Sequence, residues 1–185
     1  MSAIVVSSGQ TSSGLSTSTG DVITVSSGGK LLSSTLFDTS EILLGTAIGN
    51  KLIAGSTELV SAGGFDSAST LTAATQVVLS GGAAGAVVVS GGGQQTVALG
   101  GEADGTTIIG GGSAQITGGT LSAALVSSGG AVAAVSGGKV IGATLFTSGL
   151  LQNAGSSVDT ILSGGEEDVL SGGIASSATI LSGGL

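Results

Sequence analysis

The sequence has no Cys, His, Pro, Trp or Tyr, and it has no Arg either, because Lys30, Lys51 and Lys139 account for all three basic residues. Each absence removes a chemistry. Without His or Cys there is no conventional zinc site, haem ligand, iron–sulfur cluster, disulfide or Ser-His-Asp triad. The lack of Cys is compatible with any redox compartment. Three basic residues against eleven acidic ones leave a net charge of −8, and three Phe are the whole aromatic complement. Such a chain cannot neutralise phosphates or stack on bases, so nucleic acid is not an expected partner. Anionic membrane surfaces repel it. No segment approaches the roughly 18 apolar residues of a transmembrane helix, so membrane insertion is not expected. Met1-Ser2-Ala3-Ile4-Val5-Val6 lacks the basic start and long apolar stretch of a signal peptide. The chain closes on repeat text, Gly183-Gly184-Leu185, which points to a longer parent protein.

What is present is glycine, 37 residues of it, in a chain that is 41% hydrophobic and only 8% charged. Gly- and Ser-rich chains are often linkers or disordered, but disordered chains lack this much Val, Ile, Leu and Ala. The order of the residues resolves the conflict. One glycine per unit gives Gly9, Gly28, Gly45, Gly63, Gly81, Gly100, Gly118, Gly137, Gly155 and Gly172, with gaps of 19, 17, 18, 18, 19, 18, 19, 18 and 17. A looser second series falls midway, at Gly20, Gly55, Gly91, Gly110, Gly129, Gly149, Gly164 and Gly183. The repeated text is an apolar run closed by Ser-Gly-Gly, as in Val77-Val78-Leu79-Ser80-Gly81-Gly82 and Ile161-Leu162-Ser163-Gly164-Gly165.

Each half-unit is a short β-branched run ended by a corner. β-branched side chains favour a pleated strand, and glycine supplies the positive φ of a tight turn. Paired glycines every nine residues or so disfavour a helix by about 1 kcal/mol each. Collagen would need glycine at every third position. An antiparallel sandwich does not demand constant spacing, whereas a parallel β-solenoid does, because coils of equal girth must stack at about 4.8 Å. The expectation is therefore an all-β fold, a parallel β-solenoid of about ten coils of about 18 residues, forming one repeat array over 1–185. Residues 36–62 are degenerate repeats within it. Thr39-Ser40-Glu41 imitates a helix N-cap there, but Thr35-Leu36-Phe37 recurs as Thr144-Leu145-Phe146 and the glycine register passes through Gly45.

The V-x-x-S-G-G-x-x-x-x-x-x-V-x-x-G-G text, densest from Val77 to Leu185, resembles the AIDA-type repeats of bacterial autotransporter adhesins. The opening Ile4-Val5-Val6-Ser7-Ser8-Gly9-Gln10-Thr11-Ser12-Ser13-Gly14 also resembles the N-termini of bacterial exoproteins that carry such repeats ahead of a Hedgehog/intein-type processing domain. The resemblance implies a right-handed β-helix and an extracellular or cell-surface location. It also implies glycan acceptors at Ser80, Ser90, Ser136, Ser163, Ser171 and Ser182, with a glycosyltransferase as partner. Read from the residues, Ser precedes Gly-Gly because its hydroxyl bonds the turn backbone.

No cofactor is expected, and neither a catalytic nor a metal centre. Ser27-Gly28-Gly29-Lys30 and Ser136-Gly137-Gly138-Lys139 spell S-x-x-K, a Ser–Lys pairing in some enzymes, but Lys here fills the variable place after a glycine pair. Glu166-Glu167-Asp168 could bind a hard cation, although neighbours on a strand face opposite ways. Glu102 and Asp104 could be proposed as a glycosidase pair, yet the chain offers no sugar platform beside them. Phe37, Phe65 and Phe146 are expected as core fillers, and outward positions as a mixture without a repeated stripe. A non-enzymatic structural module follows, whose uncapped ends pair with further copies of itself. The alternative is an adhesin passenger that binds surfaces or sister cells.

Overall fold

The computed structural model describes all 185 residues. Every regular element is a β-strand, and every pairing between strands is parallel. The strands fall into three sheets with ten, ten and nine members, and within each sheet a strand bonds to the equivalents one coil before and one coil after. The first sheet runs from Ala3–Val6 to Glu166–Val169, the second from Thr11–Ser13 to Ile174–Ser176 and the third from Thr35–Phe37 to Thr179–Ile180. The first coil joins the third sheet through the single bridge Ser16↔Thr35. Ten rungs at about 4.8 Å make a three-sided rod about 48 Å long.

A coil thus has three sides, where the glycine text marks only two corners. The first corner carries the main glycine series. Gly9, Gly28, Gly63, Gly81, Gly100, Gly118, Gly137 and Gly172 all have φ between 72° and 92°. Gly45 and Gly155 differ: they occupy the tight place of the second glycine, where an added Cβ would strike the Gly29 and Gly138 carbonyl oxygens of the coil before. The second series lies at the corner from the third sheet back to the first. Between the second and third sheets, the turn is one left-handed residue. Gly14, Gly49, Gly105 and Gly142 fill it in four coils, and Ser33, Ala68, Ala86, Ala123, Asp159 and Ser177 fill it in the other six.

The residues of 36–62 follow the same scheme. Strands Ser40–Leu43, Thr46–Ile48, Lys51–Ile53 and Thr57–Val60 each pair in register with coils on both sides.

Alternation within each strand sends one set of side chains inward. The third sheet contributes Leu36, Leu52, Leu71, Val89, Ile108, Val126, Leu145 and Leu162 to the core, and the first contributes Val6, Val25, Leu43, Val60, Val78, Val97 and Ile116. Aliphatic chains fill this narrow interior. Contrary to expectation, all three Phe point outward, with exposures of 44% at Phe37, 43% at Phe65 and 41% at Phe146. Phe37 and Phe146, the last residues of the two Thr-Leu-Phe strings, both stand on the outer face of the third sheet.

Candidate functional site

The polar chemistry of this chain lies inside the rod. One inward column of the first sheet reads Ile23, Glu41, Glu58, Gln76, Gln95 and Ala114 on successive rungs, each paired directly with the next. Glu41 is 1% exposed, and Glu58 and Gln76 are fully buried. Asp66, the inward residue of Phe65–Ser67 on the second sheet, is also fully buried. These three acids come from a total of eleven, and all three lysines stand on exposed positions of outer faces. No cation enters the interior.

Amides and hydroxyls compensate part of this burial. Gln76 Nε2 donates to Glu58 Oε2 at 2.6 Å and to Asp66 Oδ2 at 2.7 Å. Ser69 Oγ donates to Asp66 Oδ1 at 2.5 Å, and Gln95 Nε2 donates to Gln76 Oε1 at 2.8 Å. Thr106 Oγ1 closes the chain on Gln95 Oε1 at 3.1 Å. Three carboxyl oxygens remain unpartnered: both of Glu41 and Oε1 of Glu58. A buried carboxylate without compensation is costly, and the usual outcome is a neutral acid. Burial, with the Asp66 charge adding to it, pushes Glu41 up to about 8. Burial also pushes Glu58 well above the carboxylate range, with Asp66 and Glu41 adding and the Gln76 bond opposing. Asp66 rises to about 6 through burial, held back by its bonds from Ser69, Gln76 and the Ser67 backbone. No group of three or more acids is arranged to hold a metal ion.

A smaller polar knot lies near the last coil. Asn153 Nδ2 donates to Ser157 Oγ at 2.9 Å, to Glu167 Oε1 at 3.2 Å and to the Ile174 carbonyl at 3.0 Å. Glu167 is thereby separated from Glu166 and Asp168, its neighbours on the strand, so the acidic run does not converge. Glu102 and Asp104 both stand outward on the second sheet, and Asp104 Oδ1 accepts from Ser122 Oγ at 2.7 Å. With Phe65, Thr120 and Ile141 they line a shallow depression of about 400 Å³ over the small residues Ala83 and Gly85. Lys30 and Lys139 end their Ser-Gly-Gly corners on exposed positions of the second sheet, away from any buried base.

The six serines divide between two corners. Ser80, Ser136 and Ser171 are exposed at the first corner and Ser182 at the third, whereas Ser90 and Ser163 are half-buried ends of third-sheet strands. The outer surface carries a stripe that composition concealed. On the third sheet one outward column reads Thr35, Lys51, Thr70, Val88, Thr107, Leu125, Thr144, Ile161 and Thr179, with Thr on every second rung.

These features define a three-sided parallel β-solenoid with an aliphatic core and an embedded acid–amide column. No family model matches the chain, and no curated protein matches it. Among solved structures it is similar to the 55–350 fragment of TibA in the form hyper-glycosylated by TibC. The TM-score is 0.78 at 28% identity, over 98% of this chain and 76% of that one. A match to HetL, a pentapeptide repeat protein involved in heterocyst differentiation regulation in the cyanobacterium Nostoc, has a TM-score of 0.45 at 15% identity, over 99% of this chain and 87% of that one. At that distance it carries no argument.

Proposed function

We propose that this chain is a non-enzymatic structural repeat module of a secreted or cell-surface bacterial protein, related to the AIDA-type adhesin repeats and joining end to end into a longer rod. The observation that carries this reading is the uninterrupted stack of ten coils, whose course follows the TibA fragment over 98% of its length. The interior is filled by side chains, and its acids face one another and leave no open cleft. The last coil supports the end-to-end element. Val169, Leu170, Ile174, Ile180 and Leu181 are all exposed there. Leu185 already bonds beneath the preceding strand, accepting from Glu167 N and donating to Gly165 O. A further rung would bury these side chains and satisfy the strand edge, as in β-augmentation. Light scattering and electron microscopy over a concentration series test this: lengthening rods are expected, and a strictly monomeric rod at millimolar concentration overturns it.

The threonine stripe favours a second reading, an adhesin passenger whose outer faces bind surfaces or carry sugar. Five Thr hydroxyls recur about 9.6 Å apart along one face, twice the rung spacing, and the TibA fragment is itself hyper-glycosylated. Ser80, Ser136, Ser171 and Ser182 are the sequence-implied acceptors that solvent reaches most freely. Co-expression with a bacterial adhesin glycosyltransferase, followed by peptide mass spectrometry, is expected to place sugar on corner serines. An unmodified chain rules out the glycosylated form, and failure to aggregate cells rules out the adhesive one.

A further inference from the structure

The buried acids raise a question that a structural rod does not answer, since an aliphatic column would pack as well without the cost of desolvation. Glu41 and Glu58 sit directly opposite each other on adjacent rungs of the first sheet, about 4.8 Å apart in the backbone. The unpartnered oxygens of the column belong to this pair alone: both oxygens of Glu41 and the single free oxygen of Glu58. One proton placed between them satisfies a donor and an acceptor at once. The second oxygen of Glu58 is already fixed by Gln76, which also fixes Asp66.

We propose that Glu41 and Glu58 share a proton across adjacent rungs and, with Asp66, form a proton-binding site within the stack whose ionisation loosens the third to fifth coils, the turns that begin at Ser40, Thr57 and Thr75. No cation faces the pair, and the buried donor left unpartnered in the coil of Glu41, Asn50 Nδ2, is neutral. Facing the pair, the second sheet offers Leu31, Ala47 and Asp66, and the third offers Leu36, Leu52 and Leu71. The corners add the buried but uncharged Ser34, Thr39, Asn50, Ser56 and Ser69. Asp38 lies at the turn beside Gly55, and Asp21 is engaged by the backbone of Ser2 and Ser18, so neither enters the interior. Asp66, across the interior on the second sheet, is the only further titratable group facing the pair, and it has the same sign.

The sign of the pH effect follows. The folded chain holds protons that the unfolded chain releases above about pH 4.3, so the stabilisation is complete below that value and is lost as pH rises through the folded-state range. Burial carries that range to about 8 at Glu41. Across this window the unfolding equilibrium constant should rise roughly tenfold per pH unit for each carboxyl held protonated.

The test is urea unfolding of the intact chain and of the E41Q/E58Q double variant from pH 5 to pH 9, followed by circular dichroism. The wild-type midpoint should fall with rising pH, and the variant, whose amides cannot ionise, should lose most of that slope. Equal slopes in the two proteins, or a flat wild-type profile, overturn the proposal. Should the variant fail to fold, infrared spectra of the wild type decide: a protonated-carboxyl band at pH 7 that disappears reversibly with alkali is expected, and its absence at pH 7 is fatal. Recovery of wild-type stability at pH 9 on adding calcium or potassium alone would show that a cation occupies the column, and this too would overturn it.

Discussion

Gln76 bridges two sheets by donating both amide hydrogens to carboxyl groups, at 2.6 Å to Glu58 and 2.7 Å to Asp66. A neutral amide thus takes the place that Arg or Lys would hold in an ion pair. Removing it orphans two buried acceptors and the buried Gln95 Nε2 donor, each worth about 1–3 kcal/mol. Gln76→Leu, of similar volume, is therefore expected to lower stability by at least about 3 kcal/mol in urea titration, more at pH 8 than at pH 5 because the ionised Glu58 loses its one donor and Asp66 keeps only Ser69 and the Ser67 backbone. A neutral result at both pH values would show that the bridge contributes nothing net.

The two glycines of a corner fail for different reasons when replaced. Gly81 has φ of 74°, with only Ala62 near the place of a Cβ, 3.3 Å away. Gly82 has an ordinary φ, but its Cβ would lie 2.5 Å from the Val60 carbonyl oxygen of the coil before. Gly81→Ala should cost about 1–2 kcal/mol of left-handed strain. Gly82→Ala must push two rungs apart and should cost more. Paired denaturation curves check the order, and the reverse order would mean that the rungs slide freely.

Ala68, Ala86 and Ala123 occupy the single-residue corner with φ of 56°, 52° and 50°. Substituting Gly relieves the Cβ clash but gives the unfolded chain more freedom, so the two effects partly cancel. The triple variant Ala68→Gly/Ala86→Gly/Ala123→Gly should gain about 1 kcal/mol in total. Calorimetry would register a modest rise in Tm, and a fall would place these alanines in a relaxed backbone.

Asp21 works with the opposite sign to the interior acids. Backbone N–H groups of Ser18 and Ser2 hold its carboxyl below the usual range, the latter at 2.6 Å. A lowered folded value gives stability that is complete above the unfolded pKa and is lost as pH falls through the folded one. Below about pH 4 the first rung should fray. Hydrogen exchange at Val22, whose N–H bonds to Ser2 O, reports this directly. Asp21→Asn should raise its exchange rate at neutral pH and remove the acid dependence, while the central coils stay protected.

The glycine text made the stacking legible because its corners need glycine twice over, once for φ and once for room between rungs. The third corner stayed hidden for a physical reason: a single left-handed residue can be Ser, Ala or Asp at modest cost, and six coils use them. The coil therefore read as two-sided. The acid–amide column was present in the sequence as Glu41, Glu58, Gln76 and Gln95, spaced by 17, 18 and 19 residues. No single-residue motif marks it, because the phase is shared by two residue types and runs through only four coils. The Phe residues misled through size alone. Apolar bulk suggests a core, but the ladder positions of a thin prism suit Leu and Val, and Phe65 instead lays its ring edge beside Gly85. Ser80, Ser90, Ser136, Ser163, Ser171 and Ser182 each precede a glycine pair, yet the chain carries that motif around two different corners with unequal access.

The backbone ladder bonds between coils run along the rod, from one turn to the next. A pull on the two ends therefore loads the turns in series, and the weakest gives way while the others hold. Each turn that peels off pays out about 18 residues, or about 60 Å of slack, in exchange for a rung of about 4.8 Å. Under shear such a thread would yield in steps, lengthening by more than its own folded span with each turn lost, and it would rewind when the load is released.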